Sequence, residues 1–570
     1  MAQHQPTEID ALVPPSAPPS YSAVAAPPPP HAHAHAHQVE AGTKHPSRHG
    51  PSFLPRLLLF LLLFLLAFLA LTLTLTLLLA LIHPALATYL PPHRSSTGTP
   101  LLLALLAALL ALSALLTFDA PALLTRLVLW FCLASTLLDL LLLASVNSLR
   151  HREAWLGATA LLLLLATIGT ALGSSVYVDH VHAQAALARR AMTEEEAERR
   201  AMLIATEGGH WGKRLRTALK VALEFLISFA SAGALLMITL NLVVAGADST
   251  LDLPYPESQL VAVQPPPSRW PYNVHIACAG QRNNTVHPSS SGSFDSGDAF
   301  AASWPASAVP VRQPPVMLYE SMSGIPGTLG GEWLIRLAQE GVGRACIWDR
   351  PGYGFSDSSP SSDVPHVTEA LHSALERMDE RGPFMLVGAG YGGLISRYFA
   401  TLYPEQTHSL LYIEAQHPSL FYEPPPPSAL GDFWAYALSP LGWSRLGDLF
   451  RGQRPQNTRW WRTVGPHADA LQKSRLDERL QAHRRDSASS LALNSTYPDY
   501  PFTTPQLVLT SRERMDSTPN WQRVQRDIWS GAVGRGKVAW RIVKGAGHDL
   551  CKGLRGEGEC RRAVEELLLL

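Results

Sequence analysis

Several places in the sequence hold residue types that can do chemistry. His548 closes the run Gly545-Ala546-Gly547-His548, and imidazole is the side chain that takes and gives a proton near neutral pH. Carboxylates follow two apolar runs: Glu414 after Leu410-Leu411-Tyr412-Ile413, and Glu513 and Asp516 after Leu507-Val508-Leu509-Thr510. Ser321, Met322 and Ser323 follow the apolar Val316-Met317-Leu318-Tyr319 and Glu320. Gly388-Ala389-Gly390-Tyr391-Gly392-Gly393 follows Phe384-Met385-Leu386-Val387 and opens a helical stretch. His31, His33, His35 and His37 alternate with alanine in a Pro-rich tract. Imidazole ligates metals, but such a tract holds no fixed geometry, so it reads as low-complexity sequence and no metal is expected.

The elements that must position these residues divide the 570-residue chain sharply. Charged residues make up 16% and the formal net charge is zero, which gives no electrostatic case for a nucleic-acid partner. Residues 1–52 read as a disordered Pro/His-rich tail, because polyproline segments build no core. Within it, Pro18-Pro19-Ser20-Tyr21 has the form of a ligand for a WW domain, a partner class that requires the tail to be cytoplasmic.

Residues 53–247 form a transmembrane region. Five apolar segments, near 53–82, 100–118, 121–146, 155–178 and 218–247, are each close to or above the roughly 20 residues a helix needs to span a bilayer. Asp139 and Glu224 are isolated carboxylates within them. A transport pathway needs several convergent intramembrane charges, so these two read as facing partner helices or an interface. The bilayer is the expected lipid partner.

Basic residues set the topology. Lys44, Arg48 and Arg56 share a side with seven more in the loop 179–217: Arg189, Arg190, Arg199, Arg200, Lys213, Arg214 and Arg216. Arg94, Arg150 and Arg152 lie on the other side. This predicts a cytoplasmic N-terminus and a lumenal or extracellular C-terminal domain. The sequons Asn283-Asn284-Thr285 and Asn494-Ser495-Thr496, and the cysteines Cys278, Cys346, Cys551 and Cys560, all fall in that domain, as expected of a glycoprotein folded in an oxidising compartment.

From about 255 onward short buried strands alternate with helices, which indicates a mostly parallel sheet covered on both faces. Residues 255–570 resemble the α/β-hydrolase family. The resemblance rests on Glu320-Ser321 with Gly324, on Asp349-Arg350-Pro351-Gly352-Tyr353-Gly354-Phe355-Ser356, on Val387 to Gly393, and on Gly545-Ala546-Gly547-His548. By composition 281–313 reads as an exposed Ser-rich loop, and the resemblance implies the α/β-hydrolase fold with a helical cap at 416–504. It further implies His548 as catalytic base and Asp516 or Glu513 as the acid, with Glu414 a third candidate. Tyr391 and Ser321 to Ser323 would supply the oxyanion-side N–H groups.

The sequence departs from the family at one decisive position: Gly390 stands where the nucleophilic serine should be. Glycine fits a strained elbow at no steric cost but brings no nucleophile. Ser321 and Ser323 lie on the oxyanion side, and Ser396 falls inside the following helix. The leading expectation is a membrane-tethered pseudo-hydrolase that binds a small apolar or lipid-like ligand or a partner, without cofactor. Its rival is a hydrolase of lipid-like esters or amides using a relocated serine or a His-activated water. Trp434, Trp443, Trp460 and Trp461 in the cap would line an apolar site, face the bilayer, or pack the cap onto the core. Asp349 and Arg350 read as fixing their turn. The family's strand order places Cys278 beside Cys346, and a Cys551–Cys560 bridge would hold the segment after His548.

Overall fold

A computed structural model of the chain describes residues 53–90, 97–118, 123–190, 210–249, 251–282, 314–421, 429–450, 462–465, 468–483, 487–495, 503–547 and 549–570. The Pro18-Pro19-Tyr21 motif, the histidine tract, the first sequon, Trp460, Trp461 and His548 lie outside the described residues.

Five long helices come first among the described residues: α1 (Phe53–Ile82), α2 (Gly98–Leu116), α3 (Leu123–Ser145), α4 (Asn147–Arg190) and α5 (His210–Asp248). All five are long and apolar enough to cross a membrane. α1 is leucine-rich on every face, and Phe64, Phe68 and Leu71 remain exposed in the protein, as a lipid-facing surface requires. Where helices touch, small residues such as Ala70, Ala104, Ala107 and Ala160 let the backbones approach. The hydroxyls of Thr72, Thr74 and Thr76 donate back to carbonyls one turn earlier, so they satisfy their own helix. Asp139 and Glu224 are buried inside the bundle.

The fourth span is longer than the apolar segment 155–178. Its helix begins at Asn147, breaks at Ala154 (φ 47°, ψ −158°) and runs on to Arg190. The fifth likewise starts upstream, at His210. Helical hydrogen bonds continue through polar residues outside the hydrocarbon, where hydropathy no longer marks them.

The C-terminal half is built on an eight-stranded sheet: β1 (Glu257–Val263), β2 (Tyr272–Ala279), β3 (Val316–Glu320), β4 (Ala345–Asp349), β5 (Phe384–Ala389), β6 (Thr407–Ile413), β7 (Gln506–Ser511) and β8 (Lys537–Val543). The spatial order is β1-β2-β4-β3-β5-β6-β7-β8. β2 pairs antiparallel to both β1 and β4, and from β4 to β8 every pairing is parallel. The central strands β3, β4 and β5 are buried along their whole length, because helices cover both faces of a parallel sheet. On one face lie α6 (Glu332–Gln339) and the C-terminal helix (Leu554–Leu568). On the other lie α7 (Val364–Arg377), capped by the Asp363 carboxylate on His366 N, and α8 (Gly392–Leu402).

Two disulfides tie this half. Cys278 and Cys346 are direct cross-strand partners of β2 and β4, with Cα atoms 4.1 Å apart. Cys551 and Cys560 join the segment after Gly547 to the C-terminal helix.

The cap contributes α9 (Ala429–Leu438), α10 (Trp443–Phe450), α11 (Asp469–His483) and α12 (Ala488–Ser495). It lies against the membrane helices. The Thr97 hydroxyl hydrogen-bonds the Tyr436 phenol at 2.8 Å. Asn241 of α5 donates to Pro440 O and accepts from Arg445. Arg462 forms a two-pronged ion pair with Asp248, with both side chains buried. Arg269 stacks over Tyr89. The loop after α1 and the end of α5 therefore contact the C-terminal half. Trp434 and Trp443 are more than half exposed, so they line no internal ligand site.

Candidate active site

β5 ends in a sharp turn into α8, with Gly390 at its apex in the left-handed region (φ 53°). Gly390 N donates to Ile413 O at 3.0 Å, and its carbonyl accepts from Gly393 N and Gln416 N. A Cβ on Gly392 would stand 2.4 Å from Glu320 O, and one on Gly388 would stand 2.7 Å from Gly393 Cα. Both glycines thus let strand and helix cross as closely as the elbow demands. Ser396 is buried in α8 behind it.

What differs is the space above Gly390. A Cβ built there would lie 2.8 Å from Met322 Cβ. The loop after β3 occupies the volume that a nucleophile side chain would fill.

Arg350 holds that loop in place. Its buried guanidinium donates to Ser321 O at 2.5 Å and to Met322 O at 3.3 Å, between the rings of Tyr353 and Tyr391. Glu478, reaching down from α11, closes the arrangement. It accepts from Arg350 (3.2 Å), Tyr353 (2.8 Å) and Ser323 (2.6 Å), and its side chain is 4% exposed. One cap carboxylate therefore fastens the loops after β3 and β4 beneath the cap. Asp349 is spent on the same turn: it accepts from Thr328 and Phe355 N and pairs with the buried His275.

The two acid candidates part company. Asp516 is exposed and pairs with Arg512 one turn earlier at 3.1 Å. Glu513 accepts from Gly545 N at 2.6 Å and from Ser511 Oγ at 2.9 Å, and hydrogen bonds, chiefly from backbone N–H groups including Gly545, hold its pKa down. It thereby anchors the loop three residues before His548. Glu414 is fully buried, accepting from Ser511 N and from Trp521 Nε1 at 2.8 Å. Tyr391 is buried, and burial pushes its phenol well above the ordinary value.

A small cavity remains beside the elbow, about 30 Å³, lined by Met322, Trp333, Ala389, Ile413 and Asp549. It has room for water. Glu320, fully buried at the end of β3, accepts from Trp348 Nε1 at 2.6 Å; burial raises its pKa to about 8.

Glu478 was not legible as a site residue. It lies 125 residues from Tyr353 and sits in a polar helical stretch, where nothing local distinguishes it from a solvated glutamate.

The strand order and the elbow converge with a sequence match: residues 322–552 fit the model of the alpha/beta hydrolase family. The C-terminal half has the α/β-hydrolase fold. Residues 28–278 match a second model, described as a region of unknown function. Among curated relatives, the chain is 31% identical over 216 residues to an uncharacterised protein of Schizosaccharomyces pombe, covering 36% of this chain and 38% of that one. It is 30% identical over 156 residues to an uncharacterised vacuolar membrane protein of Saccharomyces cerevisiae, covering 26% of this chain and 21% of that one. The matches thus span well under half of either relative. Similar solved structures include a thermophilic esterase from Thermogutta terrifontis, at 16% identity and TM-score 0.35, covering 55% of this chain and 98% of that one. The Cif epoxide hydrolase from Acinetobacter nosocomialis is similar at 10% identity and TM-score 0.40, covering 59% and 96%. The chain is a membrane-associated protein carrying an α/β-hydrolase-fold domain.

Proposed function

We propose that this domain is a pseudo-hydrolase: a membrane-tethered α/β-hydrolase fold that serves in ligand or partner binding and performs no acyl transfer at its elbow. The observation that carries this reading is the contact between Met322 and the position of the missing side chain. An elbow that had merely lost its serine would keep an open pocket above it. Here Arg350 and Glu478 hold the oxyanion-side loop against Gly390. The relocated-serine reading fits the site less well: Ser323 Oγ is committed to Glu478, Ser321 is buried in the loop that Arg350 holds, and Ser396 is buried in the helix behind the elbow.

In this reading the N-terminus is cytoplasmic and the domain lies on the far side of a membrane of the vacuolar or secretory type. The bias of basic residues, the two disulfides and the exposed Asn494 at the end of α12 support that orientation. The vacuolar relative supports the kind of membrane.

The test is made on the full-length chain in detergent, with a fluorophosphonate probe and short p-nitrophenyl esters. No labelling and no turnover is the expected result. Turnover that disappears in His548→Ala would sink the pseudo-hydrolase reading.

A further inference from the structure

The cap helix α9 has two faces that meet different surroundings. Asp432 and Tyr436 lie one turn apart on the inner face. Asp432 pairs with Arg479 of α11 at 2.7 Å, and Tyr436 is fully buried in a cluster with Leu81 of α1 and Leu476 of α11. Trp434 and Leu438 are also one turn apart, but about 200° round the helix from that pair. Both are exposed, and so is Trp443, which opens α10.

The depth of the outer face follows from what the inner side touches. Phe433 and Leu101 of α2 pack against the same cluster as Tyr436. Leu441, between α9 and α10, packs against the apolar core of the membrane bundle. Asn241 of α5 donates to Pro440 O at 3.0 Å, and a Cβ on Gly442 would stand 2.6 Å from Asn241 Cγ. Leu81, Leu101 and Asn241 all lie inside helices long and apolar enough to cross a membrane. Asn241 is about two turns, or roughly 10 Å, short of the end of α5 at Asp248. The stretch from Phe433 to Trp443 therefore sits level with the ends of the spans.

That level decides what covers the outer face. Leu105, one turn deeper than Leu101 on the same side of α2, is itself exposed, as a lipid-facing residue is. The apolar surface of the spans thus begins beside the cap. Tryptophan joins a large apolar body to an N–H that needs a polar partner, which suits the zone where headgroups meet hydrocarbon. A short helix with Trp and Leu on one face and a buried polar face behind it has the pattern of an interfacial element.

We infer that the segment from α9 to the start of α10 is an interfacial anchor, with Trp434, Leu438 and Trp443 inserted at the headgroup boundary of the bilayer that the spans cross. The cap is then seated on lipid as well as on protein. The anchor does not depend on the pseudo-hydrolase reading, because it uses neither Gly390 nor His548. Through the Asp432–Arg479 pair it is joined to α11, the helix that carries Glu478.

The experiment places a nitroxide on Leu438→Cys, and separately on Trp443→Cys, in the full-length protein reconstituted in phosphatidylcholine vesicles. Cys132, the one cysteine outside the two disulfides, is replaced by alanine throughout. Collision rates are measured with oxygen, which concentrates in hydrocarbon, and with a neutral nickel chelate, which stays in water. Leu141→Cys on the exposed side of α3 is the lipid reference, and Leu554→Cys, 97% exposed on the C-terminal helix, is the aqueous one. At both cap positions the oxygen rate should exceed the nickel rate, the reverse of the order at Leu554→Cys. Nickel exceeding oxygen at either cap position places that face in water and overturns the anchor. Low rates with both reagents mean that protein covers the face, a second copy or another chain, and overturn it equally. The two cap positions belong to different helices, so one remains decisive if the other variant does not fold.

Discussion

Met322 Cβ stands 2.8 Å from the point where a side chain on Gly390 would begin. The glycine is therefore required twice over, once by its left-handed backbone and once by the loop pressed against it. A serine placed here does not simply restore an enzyme.

The first prediction concerns this pair. Gly390→Ser should destabilise the protein by about 1–3 kcal/mol, the usual cost of overpacking, and should show no p-nitrophenyl ester turnover. Met322→Gly added to it should recover much of the lost stability by removing the clashing side chain. Denaturant unfolding of the single and double variants measures the coupling. Purely additive effects would mean that the loop yields freely and that the site is not closed.

Only part of this site was legible in the sequence. The elbow, its glycines and the strands around it are local features: runs of four to seven buried residues and fixed motif spacings. The fold class and the degenerate Gly390 followed from them. Closure of the site was not legible, because it depends on Glu478 meeting Arg350, Tyr353 and Ser323 across more than a hundred residues. The ambiguity between Asp516 and Glu513 had a readable clue. Arg512 and Asp516 are spaced one helical turn apart, which favours a surface pair. Glu513, by contrast, reaches Gly545 only once β7 and β8 are paired.

Glu478 supports a second prediction. Glu478→Ala leaves Arg350 buried without this acidic partner and frees the hydroxyls of Tyr353 and Ser323. Breaking a buried pair from one side costs on the order of 3–5 kcal/mol. Glu478→Gln, which keeps the shape and one acceptor, should cost clearly less. Hydrogen exchange supplies the second readout: amides of α11 and of residues 321–324 should lose protection together in Glu478→Ala. Loss confined to α11 would mean that the cap and the loop after β3 are not fastened by this carboxylate.

The third prediction is a pH dependence set by Glu320. Burial raises its folded pKa to about 8, while an unfolded glutamate titrates near 4.3. Between those values the native state holds a proton that the unfolded chain has released. The stability Glu320 contributes is thus fully present below the unfolded value and lost as pH rises through the folded one, at about 1.4 kcal/mol per pH unit. Glu320→Gln keeps a carbonyl for Trp348 Nε1 and cannot ionise. The stability difference between this variant and the native protein should therefore shift in the variant's favour from about pH 4.5 to about pH 8, and stay flat outside that window. Thermal unfolding across this range reads it directly. A difference that does not change with pH would mean that Glu320 ionises as freely in the folded protein as in the unfolded chain.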